Sequence, residues 1–392
     1  MKIAVIAVAY NRVDSLARLL HSLEKAYYPE NESIPLIISI DKSNTDIVEH
    51  FADDYLWPHG DKIVDKHESN LGLRSHMMSL GKWFDYFDSI VVLEDDIVVS
   101  PNYYTYTKQA VNKYYNIPGI AGISLYSIEL NYQTRTPFVP IKDEHDAYFM
   151  NCAMSWGEVW MRDSWRKFYD WYLEHQDFPI LLHLPVQICE WSAKSWLKYH
   201  IRYCIEENEY FVHPYTSLAS NYGDVGEHND GSSKSLFQVS MQYGKKSGFI
   251  LPDFDEKAVF YDGFFENKAL YDVIGKSKEE LCVDLNGMCH NNMHRRYWLT
   301  TEVKNYKVVR SFGLNYRPIE QNVLLNNAGE TIFLYDTQVN ERNKKRKNHE
   351  LLFYHYRFNS MWEILRMYGI RDIIKLFVVK VCEKISKLLK KR

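Results

Sequence analysis

Three consecutive acidic residues, Glu94, Asp95 and Asp96, directly follow the apolar run Ile90–Leu93. A short run of this kind is typical of a buried strand, so the carboxylates would lie where that strand ends. Carboxylate oxygens are ligands that Mg²⁺ and Mn²⁺ prefer, and such ions neutralise a diphosphate group while it leaves. Strand alternation would direct Glu94 and Asp96 to one face and Asp95 to the other, dividing metal binding and recognition of substrate hydroxyls between neighbours.

The acidic triplet also has a structural alternative, in which its carboxylates cap the next helix. Ser100-Pro101 already provides a capping hydroxyl and a favourable first residue for that helix. Capping therefore does not require the triplet, and we favour a chemical role for it.

Alternating strand and helix patterns surround the triplet. Lys2–Ala9 is a β-rich apolar run, and the leucines after it have the spacing of an amphipathic helix. Further segments continue the pattern: Leu36–Ile40, Thr45–Phe51, Lys62–Val64, Ser75–Phe87 and Ser89–Leu93. This alternation predicts an α/β fold with a mostly parallel sheet and helices on both faces. Ligands of such sheets bind beyond the carboxyl ends of the strands, here Tyr10–Arg12, Asp41–Ser43 and Glu94–Asp96.

The chain between Tyr103 and about Tyr222 is rich in Trp and Tyr, and most of these rings are expected to pack in the core. Helices are predicted near Met161–Glu174 and Trp191–Cys204. This stretch is the expected binding half for a second substrate.

Beyond about Gly244 the strand and helix rhythm is lost, which indicates an accessory region. Within it, Asn326-Asn327 and Gly329 predict a turn that joins Gln321–Leu325 to Thr331–Tyr335 as a hairpin.

Composition excludes several classes of protein. The 392 residues carry a net charge of -4, without the basic surface expected of a nucleic-acid-binding protein. Six cysteines are scattered without a CxxC pair, which predicts reduced thiols in the cytoplasm and neither a zinc site nor a disulfide framework. No stretch reaches the roughly 20 apolar residues of a membrane span.

An ordered set of segments resembles the GT-A glycosyltransferases. These segments are Val8-Ala9-Tyr10-Asn11-Arg12, Ile37-Ile38-Ser39-Ile40-Asp41, Asn70-Leu71-Gly72-Leu73 and Val92-Leu93-Glu94-Asp95-Asp96-Ile97. The resemblance covers about residues 1–230. It is nearest to the animal N-acetylglucosaminyltransferase I type and to bacterial family 2-like enzymes of surface-polysaccharide synthesis. It implies a GT-A fold, Rossmann-like and mostly parallel, that uses a nucleotide-sugar donor with Mn²⁺ or Mg²⁺.

The resemblance also implies roles for individual residues of the donor site. Asp96, the last acid of the triplet, would contact the metal, while Glu94 and Asp95 would bind the donor. Other donor-site residues implied in the same way are Ala9, Tyr10 and Arg12 around the base and phosphates, Asp41 near the base, Arg74, Trp156 against the donor sugar, and His228 in a closing Gly-His loop.

The catalytic base has two candidates. Cys189-Glu190-Trp191 occupies the place where the bacterial relatives carry Asp-x-Trp, so a strict alignment puts a thiol on the usual base. A small shift in register makes Glu190 the base that takes the acceptor's proton. Asp170, in Phe168-Tyr169-Asp170-Trp171, is the rival, because it resembles an aromatic-acid-aromatic stretch of the animal enzyme.

The C-terminal segment from Ile370 to Arg392 places its apolar residues on one helical stripe beside many lysines. Such a basic amphipathic helix is typical of a membrane interface, and docking on the protein's own domain or on a partner subunit is the alternative.

The predicted division of the chain is a GT-A domain over 1–245, an accessory region over 246–360 and the tail over 361–392. Residues 1–100 would bind the nucleotide-sugar, and residues 101–245 the acceptor.

The sequence thus predicts an inverting glycosyltransferase that uses a nucleotide-sugar, preferably a UDP-sugar. Its acceptor would be a glycan, lipid-linked if the tail binds the inner face of the cell membrane, and its product a cell-surface polysaccharide. Two alternatives stay open, namely a nucleotidyltransferase or nucleotide-sugar hydrolase on the same fold, and a sugar-binding protein without catalysis. The absence of glycine from Tyr10–Ser15 disfavours the nucleotidyltransferase, whereas Cys189 keeps the non-catalytic reading open.

Overall fold

The computed structural model of the protein describes residues 1–224, 236–289, 291–343 and 349–375, together with 378 and 381. Within these ranges the strands are β1 (Ile3–Ala9), β2 (Leu36–Ile40), β3 (Lys62–Lys66), β4 (Ser89–Glu94), β5 (Ile97–Val99), β6 (Ile120–Ser124), β7 (Ala147–Met150), β8 (Glu158–Met161), β9 (Tyr210–Pro214), β10 (Ala219–Asn221), β11 (Phe260–Tyr261), β12 (Leu281–Asp284), β13 (Tyr297–Thr300), β14 (Tyr306–Phe312) and β15 (Ile332–Asn340). The α-helices are α1 (Val13–Glu24), α2 (Ile47–Asp54), α3 (Leu73–Ser79), α4 (Tyr103–Tyr114), α5 (Arg162–Glu174), α6 (Val186–Glu190), α7 (Leu197–Glu206), α8 (Ala269–Ile274), α9 (Gln321–Leu324), α10 (His349–Tyr356) and α11 (Met361–Tyr368). A 3₁₀ helix covers Leu80–Asp85.

A nine-stranded sheet forms the centre of the fold, with the order β11-β7-β9-β6-β8-β4-β1-β2-β3. Strands β4, β1, β2 and β3 run parallel, whereas β8 is antiparallel to both β4 and β6. The α/β fold with a large, mostly parallel sheet is therefore confirmed.

Helices cover both faces of this sheet. Successive residues of a strand accordingly belong to two different hydrophobic clusters, one on each face. Val5 and Ala7 of β1 pack with the leucines of α1, whereas Ala4 and Ile6 pack with residues of α3, α5 and α7. All seven residues of β1 are buried, as expected for a central parallel strand with both faces covered.

The chain turns sharply after β4, and this turn carries the acidic triplet. β4 ends at Glu94, and β5 then pairs antiparallel with β10, so that Ile97 lies opposite Asn221. Asp95 and Asp96 therefore belong to a turn, and the expected alternation of their side chains across a strand is wrong. The helix expected after Ser100-Pro101 begins at Tyr103, and in the turn before it the Ser100 hydroxyl accepts the N–H of Asn102 at 3.1 Å, as a capping hydroxyl does.

A second sheet lies in the C-terminal half, with the order β12-β13-β15-β14 and a hydrophobic cluster of its own. The expected hairpin from Gln321 to Tyr335 is wrong. Its first half is helix α9, because the side chain of Asn322 accepts the N–H groups of Asn315 and Tyr316 and so holds a compact turn. Strand β15 pairs with β13 and β14 instead.

The predicted boundary near residue 245 remains a prediction. Beyond it, β11 adds a parallel edge to β7 of the large sheet, while β12 to β15 form the second sheet. In the part of the chain that the structure describes, no helix is long and apolar enough to cross a membrane.

Candidate active site

Arg12 connects the ends of β1 and β4. Its Nε donates to Asp95 Oδ2 at 3.2 Å and its Nη2 to Asp95 Oδ1, while Nη2 also lies 3.6 Å from Asp96 Oδ2. Asp95 is buried, and burial raises its pKa to about 6 although Arg12 favours the charged form. Because parallel strands end at one edge, residues far apart in sequence meet here, as the sequence predicted.

Glu94 is the last residue of β4 and directly precedes the turn that carries Asp95 and Asp96. Burial, followed by the charges of Asp96 and Asp95, raises its pKa, while a hydrogen bond from the side chain of Trp196 favours the charged form. All three acids thus lie within electrostatic reach of Arg12, and a bound cation would further stabilise their charged forms.

Asp96 is half-buried, with 20% of its side chain exposed. Burial raises its pKa, and the opposing influences are the charge of Arg12 and a hydrogen bond from the side chain of Asn221. Its backbone carbonyl accepts the N–H of Tyr222 at 2.8 Å, so the segment after β10 is fixed against the turn.

Asp224 is a fourth carboxylate at this edge, and its charge acts on Arg12, Asp95 and Asp96. It accepts a hydrogen bond from Ser15 Oγ at 2.6 Å and forms an ion pair with Arg18. The guanidinium of Arg18 also lies 3.5 Å from the centre of the Tyr222 ring.

A divalent cation fits this edge only in a particular way. Among the residues that the structure describes, the carboxylates of the triplet do not converge on one point, as they would around a fully protein-bound ion. Mg²⁺ is commonly held by one or two carboxylates together with phosphate oxygens of the substrate. Asp96 fits this kind of binding, because its carboxylate is partly exposed and the acidic residues around it outnumber the arginines.

Asp41 holds the loop before α3. Its carboxylate accepts the backbone N–H groups of Leu71 and Gly72 at 2.8 and 2.9 Å, and Gly72 has a φ of 74°, which favours glycine. Arg74 in the first turn of α3 donates from Nη1 to the Tyr199 hydroxyl at 2.8 Å. The loop implied to form part of the donor site is thus fixed from both sides.

The remaining donor-site candidates differ in exposure. Ala9 is buried and Tyr10 is 41% exposed at the end of β1. Trp156 is half-buried, with its ring 4.7 Å from Tyr126 and 4.8 Å from Phe237. His228 lies outside the described residues.

Glu190 and Asp170 are both exposed, and no hydrogen bond or ion pair within the described ranges joins either to the triplet. Glu190 ends α6, and the next residue, Trp191, lies 5.5 Å from the ring of Tyr132. The chain then leads to Trp196, the partner of Glu94. Asp170 lies on the solvent side of α5, whose opposite side buries Phe168.

No protein-family model matches the sequence, and neither does any curated protein. Among solved structures, the chain is similar to S. aureus TarS 1-349 in complex with UDP-GlcNAc, with 15% identity, TM-score 0.39 and coverage of 59% of this chain and 61% of that one. It is similar to the mannosyltransferase PcManGT from Pyrobaculum calidifontis in complex with GDP-Man and Mn²⁺, with 10% identity, TM-score 0.33 and coverage of 55% and 57%. For GalNAc-T7 with UDP, GalNAc and Mn²⁺ the identity is 15%, the TM-score 0.38 and the coverage 60% and 47%.

The chain thus spans less than two thirds of the length of each of these structures. The similarity concerns the path of the backbone over part of the chain. The function proposed below is therefore argued from the side chains of the site.

Sequence reasoning missed three contributors to the site: Arg18, Asp224 and Trp196. Arg18 and Asp224 are 206 positions apart, so their ion pair has no local signal. For Asp224, the sequence offered only its place four residues before His228, near the expected closing loop. For Trp196, the sequence offered only its place after Glu190.

Proposed function

We propose that this protein is a divalent-metal-dependent glycosyltransferase that moves a sugar from a nucleotide-sugar to a hydroxyl of a glycan acceptor with inversion. The observation that carries the proposal is the position of Arg12 between Asp95 and Asp96 at the carboxyl edge of the sheet. An arginine beside acids in excess suits a ligand that combines a diphosphate with a cation.

Asp96 would hold Mn²⁺ or Mg²⁺, which when bound neutralises the diphosphate as it leaves. Arg12 is close enough to place positive charge beside the same group. Glu94 would accept hydrogen bonds from hydroxyl groups of the donor sugar. The loop that Asp41 fixes would face the nucleotide base, for which uracil is our preferred assignment. Ala9, Tyr10, Arg74, Trp156 and His228 complete the proposed donor site.

Glu190 is the proposed base. The acceptor oxygen forms a bond to the anomeric carbon, the bond from that carbon to the diphosphate breaks, and Glu190 takes the acceptor's proton. Its exposure suits a group that must meet an incoming glycan, and the nearby rings of Trp191 and Tyr132 offer apolar surface to a sugar. Asp170 remains the alternative base.

The tail supports a role for this enzyme at a membrane. Ile370, Ile374 and Val378 are 61%, 55% and 52% exposed, and Trp362 is 80% exposed, so these side chains are not docked on the described protein. Exposed apolar residues beside many lysines suit the inner face of an anionic membrane. A lipid-linked acceptor in cell-surface polysaccharide synthesis would be reached there.

The proposal retains the division into a catalytic domain over 1–245, an accessory region over 246–360 and a tail over 361–392. In this division residues 1–100 bind the nucleotide-sugar and residues 101–245 bind the acceptor.

A screen of nucleotide-sugars tests the proposal. The full chain is incubated with each donor and Mn²⁺, with and without a glycan acceptor, and released nucleotide is measured. Transfer requires release that depends on the metal and rises with acceptor. Release without acceptor dependence would favour a hydrolase, release of pyrophosphate from a nucleoside triphosphate would favour a nucleotidyltransferase, and binding without release would favour a sugar-binding protein.

A further inference from the structure

A tight loop, called the 130–137 loop below, follows β6. Its two end residues pair as an antiparallel bridge, and the backbone N–H of Arg135 donates to the Asn131 carbonyl at 2.9 Å. The side chain of Asn131 is 0% exposed and accepts the N–H groups of Gln133 and Thr134 at 3.0 and 3.1 Å. Because the loop is fixed by its own hydrogen bonds, it holds the side chains at its tip in a constant place.

The 130–137 loop contacts both halves of the proposed site. On one side, the ring of Tyr132 lies 5.5 Å from that of Trp191, which follows the proposed base in the chain. On the other side, the guanidinium of Arg135 lies 5.1 Å from the centre of the Phe237 ring. That ring lies 4.8 Å from Trp156, which we propose to face the donor sugar. The loop therefore lies between the base segment and the donor sugar, where an acceptor has to bind.

Phe237 is fixed to the candidate active site by hydrogen bonds. Its carbonyl oxygen accepts the hydroxyl of Tyr126 at 2.9 Å. The next residue, Gln238, donates from Nε2 to the carbonyl of Tyr222 at 2.6 Å, and the N–H of Tyr222 donates to the Asp96 carbonyl at 2.8 Å. The aromatic ring under the arginine is thus connected to the turn that carries the proposed metal ligand.

Arg135 presents a positive charge at the tip of the loop. Its side chain is exposed, and no carboxylate of the residues that the structure describes forms an ion pair with it. Its backbone has a φ of 61°, a conformation that glycine adopts far more readily than arginine. A strained, unpaired arginine beside an active site indicates that the side chain has a ligand. Guanidinium groups bind phosphate with paired hydrogen bonds, so a phosphate suits this position.

The 130–137 loop is also joined to the helices that precede the tail. The hydroxyl of Tyr356, the last residue of α10, donates to the Arg135 carbonyl at 2.9 Å. Helix α11 follows, and its Trp362 is 80% exposed. The segment that we propose to meet the membrane therefore begins next to Arg135. A glycan joined to a lipid through phosphate would bring that phosphate to the same place.

We propose that the 130–137 loop forms one wall of the acceptor site and that Arg135 binds a phosphate group of the acceptor, as carried by a lipid-linked glycan. The guanidinium would donate two parallel hydrogen bonds to phosphate oxygens while one of its faces stays on Phe237. This inference rests on the proposed function, because it names the acceptor class of the same site.

Titration calorimetry tests the assignment on the full chain, with UDP and Mn²⁺ at saturation to occupy the donor site. The probes are glucose, glucose 1-phosphate, octyl glucosyl phosphate and inorganic phosphate. The parent should bind both glucosyl phosphates more tightly than glucose. Arg135→Gln should raise the dissociation constants of these two about 10-fold, because a contact between charged groups is lost, and should not change that of glucose. A parent that binds glucose as tightly as glucose 1-phosphate would overturn the proposal.

The probes also distinguish the sources of the phosphate. Octyl glucosyl phosphate has the phosphodiester and alkyl chain of a lipid-linked sugar, and it should bind at least as tightly as glucose 1-phosphate. Weaker binding of the diester would rule out the lipid-linked acceptor. Inorganic phosphate lacks the sugar and should bind more weakly than either. Equally tight binding of inorganic phosphate would indicate a simple anion site and overturn the role in acceptor binding.

Arg310→Gln is the matched control, because this guanidinium also lies 5.0 Å from a phenylalanine ring, that of Phe312 in the second sheet. It changes the net charge equally and should leave all four dissociation constants unchanged. Equal losses in the two variants would show an effect of overall charge and contradict a site at Arg135. Should Arg135→Gln not fold, Arg135→Gly suits the φ of 61° and should keep the melting temperature of the parent. A phosphate preference retained in that variant would reject the assignment.

The donor screen separates failure of this inference from failure of the proposed function. Acceptor-dependent nucleotide release by a parent that shows no phosphate preference would overturn the role of Arg135 alone. If the parent releases nucleotide from no donor, the proposed function fails, and the acceptor site with it.

Discussion

Arg12 donates to both oxygens of Asp95, from Nε at 3.2 Å and from Nη2, and so joins the ends of the neighbouring strands β1 and β4. The pair is separated by 83 positions in the chain. Asp95 is buried whereas Arg12 is partly exposed, with side-chain exposures of 5% and 28%. The arginine can therefore present charge to a ligand while it neutralises the buried acid.

Arg12→Gln should destabilise the protein, because it leaves Asp95 buried without its counter-charge. Because Asp95, with a pKa of about 6, can take up a proton instead of staying charged, the expected loss at pH 7 is about 1.4 kcal/mol at most. Urea unfolding at pH 7 and at pH 4 measures the effect. The loss relative to the parent should be smaller at pH 4, since Asp95, whose pKa burial raises to about 6, is then protonated. A pH-independent loss would mean that packing, not charge, is responsible.

Glu158 should make stability fall as pH rises. Burial raises its pKa from 4.5 to about 8, so the folded protein retains a proton that the unfolded chain releases. The contribution is therefore fully present below pH 4.5 and is lost as pH rises towards 8. Urea unfolding between pH 5 and 8 should show a shallower decline for Glu158→Gln than for the parent. Glu68→Gln, at an exposed glutamate, is the control, and identical slopes in all three proteins would refute the prediction.

Glu190→Gln should slow the chemical step by the roughly 10²–10⁴-fold typical of losing a general base. Binding of the donor should survive, because Glu190 is not part of the proposed donor site. Asp170→Asn is the matched variant and should change the rate far less, and Cys189→Ser should be nearly silent. Single-turnover rates decide the matter, and an Asp170→Asn protein slower than Glu190→Gln would reassign the base.

Deleting residues 370–392 should release the protein from vesicles that contain anionic lipid. The deletion removes exposed apolar side chains, such as those of Ile370 and Ile374, that would insert into the membrane surface. Activity on a water-soluble acceptor should persist, because such an acceptor does not require the membrane. Flotation of parent and truncated protein with anionic and with neutral vesicles measures this. Undiminished flotation of the truncated protein would favour docking of the tail on protein instead.

The N-terminal half of the sheet was predictable because its elements follow local periodicity. Runs such as Lys2–Ala9 and the leucines of α1 alternate with the periods of strand and helix, and their order predicts the parallel sheet. The helix at Gln321–Leu324 was missed because the side chain of Asn322 determines its shape. Turn residues alone do not reveal such a contact.

The site was predictable only in part. The triplet and Arg12 follow buried strands, and parallel pairing brings strand ends together, so their meeting follows from the sequence. Trp196 and Asp224 join the site through contacts between distant segments, for which local periodicity gives no signal. The turn at Asp95 and Asp96 likewise depends on pairing of β5 with β10, far along the chain.

The most direct test of a metal-dependent glycosyltransferase is nucleotide release from its donor by the parent protein and by Asp96→Ala, at saturating donor and Mn²⁺. Asp96 is half-buried in a turn outside the core, so the variant should fold with an unchanged melting temperature. We expect acceptor-dependent release by the parent, its loss with chelator, and no measurable release by the variant. Equal release by the folded variant and the parent would contradict the proposed site.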